Sequence, residues 1–170
     1  NRSILLNPNG EVVSTYDKIH MFDVNLPNGE IYRESEKFKA GHQIVVTKLP
    51  WGNLGLSICY DLRFSNHYRQ LMKKKADFIT VPSAFTKNTG ERHWHVLIRS
   101  RAIENFCYVF APAQTGLHHN QRETYGHAMI VSPDGHILKE IKKETGFIIS
   151  EIDTKIIEKL RSEIPSTKYD

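Results

Sequence analysis

The hydrophobic positions of this chain fall into short strand-like runs and into longer stretches with helical periodicity. Apolar runs flank the turn sequences NPNG and PDG, so we predict β-hairpins over residues 3–16 and 128–141. Runs that are apolar throughout or rich in β-branched residues are typical of strands in a layered fold. They predict strands over residues 44–50, 54–59, 77–82, 107–113 and 146–153.

Helical spacing of apolar residues predicts helices between these strands. One begins after Ser65, an N-cap candidate, and carries apolar residues as far as Ala76. A second covers residues 91–106, and a third begins at Asp153 or Thr154.

The polar stretch 115–128 predicts a loop, and the lysines at 73–75 are interpreted as the solvated end of the first helix. No linker or low-complexity segment divides the chain. Strands that alternate with helices predict one α/β layered domain over residues 1–170.

Composition and charge exclude several classes of protein. With 39% hydrophobic and 25% charged residues, the chain is ordinary globular protein. No apolar run is long enough to cross a bilayer, and a net charge of +4 is weak evidence for a nucleic-acid partner, so neither a membrane nor a nucleic acid is predicted as partner. The two cysteines form no disulfide framework and no zinc spacing, which indicates a reducing, cytoplasmic location.

Cys59 stands where an apolar run gives way to charged residues, in GLSICYDLRF (55–64). A free cysteine is most often a buried small hydrophobe, and Cys107, inside FCYVFA, is interpreted in that way. A strand-to-helix turn can instead present a side chain outward, as a nucleophile elbow does. Backbone N–H groups after such a turn, with a nearby lysine, are expected to lower the pKa of the thiol.

A thiolate that attacks an acyl carbon needs a base, an oxyanion donor and an acid for the leaving group. Lys18 in YDKIHMFD and Glu34 in YRESEKFKAG are candidates. Each taken singly is equally well explained as a surface residue.

The segments YDKIHMFDV, ESEKFKAG and GLSICYDLRF, in this order and spacing, resemble the nitrilase or carbon–nitrogen hydrolase superfamily. The resemblance continues through PSAFTKNTGERHWHVLIRSRAIENFCYVFAPAQTG and YGHAMIVSPDG and covers nearly the whole chain. The most similar branch is the one that contains deaminated-glutathione amidase.

This resemblance implies a four-layer α-β-β-α sandwich and a Glu–Lys–Cys mechanism. Cys59 would be the nucleophile and would form a thioester, and Lys18 would stabilise the oxyanion together with the backbone N–H of Tyr60. Glu34 resembles the additional glutamate that positions substrate and lysine. No cofactor is implied.

The general-base glutamate of that mechanism is not found in this chain. The acids upstream of Lys18 are Asp17 and Glu11, and both lie too close to the lysine in sequence. The first strands and helices of the sandwich also have no counterpart, and the chain begins with Asn1. We therefore expect residues 1–170 to be the C-terminal portion of a carbon–nitrogen hydrolase domain, incomplete at its N-terminus.

Several further residues have a structural and a functional interpretation. Asp61 and Arg63 predict a buried ion pair that holds the elbow. Phe85 and Thr86 follow a strand, where ligands bind in α/β sheets, and are candidates for the pocket wall.

Arg101 is a candidate for a substrate carboxylate contact, although an ion pair with Glu104 three residues later is favoured. The HxH spacing of His93 and His95 is poor for joint ligation on a helix, so no metal site is predicted.

The function predicted from these residues is hydrolysis of a small linear amide that carries carboxylates, such as deaminated glutathione. One alternative is an ω-amidase for α-ketoglutaramate. Another is a truncated, non-catalytic scaffold that dimerises. The family usually pairs through its α-layers, so a homodimer or higher homo-oligomer is expected.

Overall fold

A computed structural model describes residues 1–27, 29–119 and 121–168. The strands are β1 (Arg2–Leu6), β2 (Val12–Asp17), β3 (Asp23–Asn25), β4 (Ile31–Arg33), β5 (Val46–Leu49), β6 (Gly52–Leu56), β7 (Phe78–Thr80), β8 (Tyr108–Ala111), β9 (Thr115–Leu117), β10 (Glu123–Tyr125), β11 (Ala128–Val131) and β12 (Ile137–Ile141). The α-helices are α1 (Ser65–Lys73), α2 (Lys87–Asn105) and α3 (Lys155–Glu163), and short 3₁₀ helices cover Glu34–Glu36, Cys59–Arg63 and Pro165–Lys168.

Six strands form the central sheet in the order β12-β11-β8-β7-β6-β5. Its three middle strands, β6, β7 and β8, are parallel, and the outer pairings are antiparallel. The parallel connections contain α1 and α2, as crossovers between parallel strands require. Both faces of these middle strands are therefore covered, which explains their continuous apolar sequences.

The two faces of the sheet belong to different apolar cores. Phe78 and Tyr108 point to one face, and their neighbours Ile79 and Val109 point to the other, because side chains alternate along a strand. The second face packs against α1 and α2 through a core that includes Tyr68, Leu71, Trp94 and Ile98. The first face packs against the β1–β2 hairpin and α3 through Tyr16 and Ile157.

The α/β class and both predicted hairpins are confirmed. β1 pairs with β2, and β11 pairs with β12, each antiparallel. Thr154 is the N-cap of α3, as predicted. Lysines 73–75 are exposed at the end of α1, which confirms their interpretation.

Two element predictions are wrong. Residues 146–153 form no strand within the described part of the chain, and Phe147 and Ile149 are largely exposed instead of packed in a sheet. The predicted loop 115–128 contains the β9–β10 hairpin, although Asn120 lies outside the described residues. Thr124 of this hairpin forms a β-bridge to Thr86, which lies outside the stretch. The polar sequence of the stretch itself carries no strand pattern.

Several boundaries also differ from prediction. Phe64, not Ser65, is the N-cap of α1, and α2 begins four residues earlier than expected. The strand predicted through Cys59 ends at Leu56. In residues 1–27, 29–119 and 121–168, no helix combines the length and hydropathy needed to cross a bilayer.

Candidate active site

Cys59 is the first residue of the 3₁₀ helix that follows β6, at a tight turn of the backbone. Its φ of 48° is in the left-handed region, which non-glycine residues seldom adopt. The turn is held by two backbone hydrogen bonds: the Cys59 N–H donates to the Pro82 carbonyl at 3.0 Å, and the Asp61 N–H donates to the Ile58 carbonyl at 3.1 Å. The Asp61 carboxylate accepts from the Ile58 N–H at 2.9 Å. The elbow geometry predicted for Cys59 is therefore present.

A cavity of about 1000 Å³ opens in front of this turn. The predicted site residues that line it are Cys59, Tyr60, Lys18, Glu34, Phe85 and Thr86. They come from separate stretches of sequence, and the fold brings them to one opening. The cavity is large enough for a small ligand.

Lys18 and Glu34 form an ion pair in this cavity. The Lys18 side chain is 2% exposed, and its Nζ donates to Glu34 Oε2. Glu34 also accepts from the Phe22 N–H at 2.7 Å and from Asn1 Nδ2 at 2.9 Å. Burial opposes ionisation of Glu34, but the hydrogen bonds from Lys18 and Asn1 outweigh it, so the pKa of Glu34 lies below its usual value.

The pKa of Cys59 is raised, not lowered. Burial of the sulfur is the largest influence, and the charge of Lys18 and a hydrogen bond from the Ala84 backbone oppose it without cancelling it. The expectation that the turn and the lysine together lower this pKa is therefore wrong. A raised pKa favours the neutral thiol, so Cys59 needs a proton acceptor before it can act as a nucleophile.

Cys107 has the core position predicted for it. The residue is completely buried, and burial raises the pKa of its thiol to about 12. Both cysteines are free thiols.

Asp61 links the elbow to the segment that carries Lys18. This completely buried carboxylate accepts from the Tyr16 hydroxyl at 2.6 Å and from the His20 N–H at 3.0 Å, and His20 Nδ1 lies 2.7 Å from its Oδ1. Tyr16 and His20 stand two residues on either side of Lys18. Asp61 therefore joins two parts of the site that are more than 40 residues apart.

The predicted Asp61–Arg63 ion pair is wrong. The oxygens of Asp61 are engaged by other groups, and the Arg63 guanidinium instead lies 3.2 Å from His93 Nδ1. The same guanidinium stacks 5.1 Å from the centroid of the Phe85 ring. The hydroxyl and amide donors that hold Asp61 could not be identified without the fold.

Arg101 lies outside the cavity. Its Nε donates to the Leu62 carbonyl at 3.0 Å, and its Nη1 donates to Glu104 Oε1 at 2.8 Å. The guanidinium stands 5.2 Å from the centroid of the Tyr68 ring. The predicted local ion pair with Glu104 is confirmed, and the assignment of Arg101 to the substrate pocket is wrong because the side chain is buried against α1.

Arg122 is a cavity residue that sequence reasoning missed. It lies between β9 and β10, donates to the Ala84 carbonyl and stands 5.2 Å from the centroid of the Tyr32 ring. The stretch 115–128 predicts a polar loop, and no periodicity in it distinguishes this arginine from exposed ones. The pairing of β9 with β10 brings Arg122 to the cavity.

The charged groups that line the cavity are mostly cationic. The cations are Arg2, Lys18, Arg33, Lys37 and Arg122, whereas the carboxylates among the described residues of the lining are Glu34 and Glu36. Asp17 and Glu11, the acids upstream of Lys18, are not part of this lining: Asp17 pairs with Arg2, and Glu11 lies beside Asn7. The cavity thus suits an anionic ligand.

Comparison with known proteins identifies the architecture. The family model described as carbon-nitrogen hydrolase matches residues 1–162. The chain belongs to the carbon-nitrogen hydrolase family. Curated relatives include the deaminated glutathione amidase of Synechocystis, which is 47% identical over 99% of this chain, and that of Dictyostelium discoideum, which is 46% identical over 97%. The chain covers 63% and 57% of these two proteins, so it spans less than two thirds of their lengths.

Solved structures of the same family confirm the nitrilase-like fold. The Caenorhabditis elegans NitFhit protein superposes with a TM-score of 0.93 at 40% identity, over all of this chain and 42% of that one. Saccharomyces cerevisiae Nit3, described as a member of branch 10 of the nitrilase superfamily, gives a TM-score of 0.86 at 33% identity, over 97% of this chain and 57% of that one. The resemblance inferred from the three motifs of this carbon-nitrogen hydrolase is therefore confirmed.

Proposed function

We propose that this chain carries the cysteine and lysine of an amidase that hydrolyses a small linear amide bearing a carboxylate, of the deaminated-glutathione type. The observation that carries the proposal is the shared cavity: Cys59 on its elbow and the Lys18–Glu34 pair open onto one space with a cationic lining. The names of the relatives from Synechocystis and Dictyostelium support the same class of substrate.

In the proposed reaction, the Cys59 sulfur attacks the amide carbonyl carbon once a base has taken its proton. The tetrahedral oxyanion is stabilised by Lys18 and by the backbone N–H of Tyr60. Collapse of this intermediate breaks the C–N bond, and the amine leaves with a proton. Water then attacks the thioester, releases the carboxylic acid and regenerates the Cys59 thiol.

Glu34 has a positioning role in this proposal. Its hydrogen bonds to Asn1 and the Phe22 backbone fix the carboxylate, and the carboxylate in turn fixes the Lys18 ammonium at the cavity. We do not assign the general base to Glu34, because that carboxylate is already engaged by the ammonium.

The carboxylate of the substrate is proposed to bind to guanidinium groups of the cavity, with Arg122 as the first candidate. Guanidinium groups bind carboxylates through paired, charge-assisted hydrogen bonds. The aromatic side chains of Phe22, Tyr32 and Tyr60 pack against one another with centroids 5.0 Å apart in each of two contacts, Phe22–Tyr32 and Phe22–Tyr60. These three rings form an apolar wall beside the cations, and Phe85 and Thr86 also line the cavity.

The test is amine release from an amide substrate by the full-length natural protein that contains this chain. We expect Cys59→Ala to abolish turnover, with Cys107→Ala as the matched control that retains it. Turnover retained by Cys59→Ala contradicts the proposal. Assays with deaminated glutathione and α-ketoglutaramate in parallel separate the proposed specificity from that of an ω-amidase, and no turnover of any amide favours a non-catalytic scaffold.

We also propose a homodimer and a reducing, cytoplasmic location. Val96 and Ile103 on α2 are 65% and 44% exposed, and such side chains are suited to an interface between copies. Two free cysteines support a reducing compartment. The molar mass from light scattering tests the dimer, and a monomer at micromolar concentration refutes it.

A further inference from the structure

The side chains of His95, His127 and Glu140 converge away from the Cys59 cavity. They come from α2, from the turn before β11 and from β12. His95 Nε2 lies 2.9 Å from Glu140 Oε1, and His127 Nδ1 lies 2.5 Å from the same oxygen. The three potential ligand atoms lie within 4.8 Å of one another. Two imidazole nitrogens therefore point at one position from different directions.

From this geometry we infer a binding site for a divalent transition-metal ion of the zinc type at His95, His127 and Glu140, with water as the fourth ligand. Imidazole with carboxylate is a donor set that suits zinc, nickel, copper or cobalt rather than calcium or magnesium. Nothing in the proposed amidase reaction uses these residues, so the inference stands independently of it.

The ring geometry fits a shared tetrahedral ion. Two imidazoles bound to zinc at the usual Zn–N length place their ring centroids about 5 Å apart. The His95 and His127 centroids are 5.0 Å apart, with an interplanar angle of 70°. Ligand atoms on such an ion are about 3.4 Å from one another, so Glu140 would have to withdraw by about 1 Å or less. A glutamate side chain on a strand makes that shift by a small rotation.

The ligands are also held before any ion arrives. The His127 ring stacks on Tyr125 with centroids 4.1 Å apart. Its backbone N–H donates to the Lys142 carbonyl at 2.7 Å, and its carbonyl accepts from Trp94 Nε1 at 2.8 Å. The site remains partly open, since His95, His127 and Glu140 side chains are 32%, 13% and 21% exposed, which leaves room for water and for entry of an ion.

A second cluster, formed by His20, Asp61 and His67, is less suitable. The oxygens of Asp61 already accept hydrogen bonds from Tyr16, His20 and Ile58, and a metal ion would have to displace donors that hold the elbow. The HxH spacing involves only His93 and His95, and nothing in the sequence shows that His127 and Glu140 lie beside the same helix.

The test is titration of the Cys59→Ala full-length protein with zinc chloride by calorimetry, so that the thiol at the cavity does not compete. We expect a binding event that His95→Gln and Glu140→Gln each weaken by about tenfold or more. His136→Gln is the matched control: His136 pairs with Asp134 on the β11–β12 hairpin, without a second imidazole, and its loss should leave zinc affinity unchanged. Absence of zinc binding, or binding that survives both ligand substitutions, overturns the inference.

Cobalt gives a second readout that requires no substitution of the ligands. Cobalt(II) bound to the Cys59→Ala protein should show the visible bands of a low-coordinate nitrogen and oxygen site, without sulfur-to-metal charge transfer. A spectrum of octahedral, water-like cobalt, or one with thiolate charge transfer from Cys107, overturns the inference even if a histidine variant fails to fold.

Discussion

Asp61→Asn tests whether the elbow and the Lys18 segment are joined by one buried carboxylate. The two oxygens of Asp61 receive two polar groups each: Tyr16 and Ile58 lie at Oδ2, and two nitrogens of His20 lie at Oδ1. An asparagine keeps one oxygen and presents an NH₂ group in place of the other, and that group cannot accept. The Tyr16 hydroxyl and His20 Nδ1 can each accept from that NH₂ group, but a backbone N–H cannot. Whichever way the amide turns, one backbone N–H, of Ile58 or of His20, loses its acceptor.

The expected magnitude follows from this one donor. A buried donor without a partner costs about 1–3 kcal/mol, so the substitution should lower the free energy of unfolding by about that amount. This is a sizeable share of the roughly 5–15 kcal/mol by which typical proteins are stable. The substitution should also slow the reaction of Cys59 with iodoacetamide, because Lys18 is then less firmly placed beside the sulfur.

The measurements are urea unfolding and the pH profile of Cys59 alkylation, both on the full-length protein, with alkylation followed well below the unfolding midpoint. Asp77→Asn is the matched control. Asp77 accepts from the Asn53 N–H at 3.0 Å and from Arg161 Nη1 at 2.9 Å. Asn53 lies at the start of β6, whereas Cys59 follows the other end of that strand. It should lower stability without changing the alkylation profile. An Asp61→Asn protein with unchanged stability, or with the alkylation profile of Asp77→Asn, refutes the reasoning.

Three further predictions concern the thiol and its surroundings. Iodoacetamide should modify Cys59 faster than Cys107, whose pKa is raised to about 12 by complete burial, and mass spectrometry showing equal or reversed rates contradicts this. Lys18→Met should raise the pKa of Cys59 further, because the positive charge that lowers it is lost. The pH at which the alkylation rate of Cys59 rises should therefore increase, and an unchanged pH profile contradicts the influence of Lys18 on the thiol. Gly41→Ala should lower stability by about 1–3 kcal/mol and impair the site, because the added Cβ would lie 2.2 Å from the Asp17 carbonyl oxygen, next to Lys18. Thermal unfolding that is unchanged by Gly41→Ala refutes that contact.

The sequence was most informative where chemistry and local pattern coincide. The turn at Cys59 could be predicted because an apolar run stops at a polar segment, and the structure gives it a left-handed backbone. The convergence of Cys59, Lys18 and Glu34 could be anticipated from the family motifs, although neither Lys18 nor Glu34 has a distinctive local pattern. Their contact depends on the loops after β2 and β4, whose course is set by tertiary packing.

The rest could not be predicted because the deciding partners lie far away in sequence. The direction of the Cys59 pKa is set by burial, which no local motif reports. Arg122 reaches the cavity only because β9 and β10 pair. Residues 146–153 have the composition of a strand, but a strand also requires a neighbour with which to form hydrogen bonds, and the described residues supply none there.

The long-range hydrogen bonds of Asp61 have a consequence for when the site is assembled during folding. They join residues separated by 45 and 41 positions, so they close large loops, and we expect them to form late in folding. During synthesis the lysine leaves the ribosome well before the cysteine. Until that one side chain joins both segments, Lys18 and Cys59 are not held at one opening, so neither segment alone can form the site.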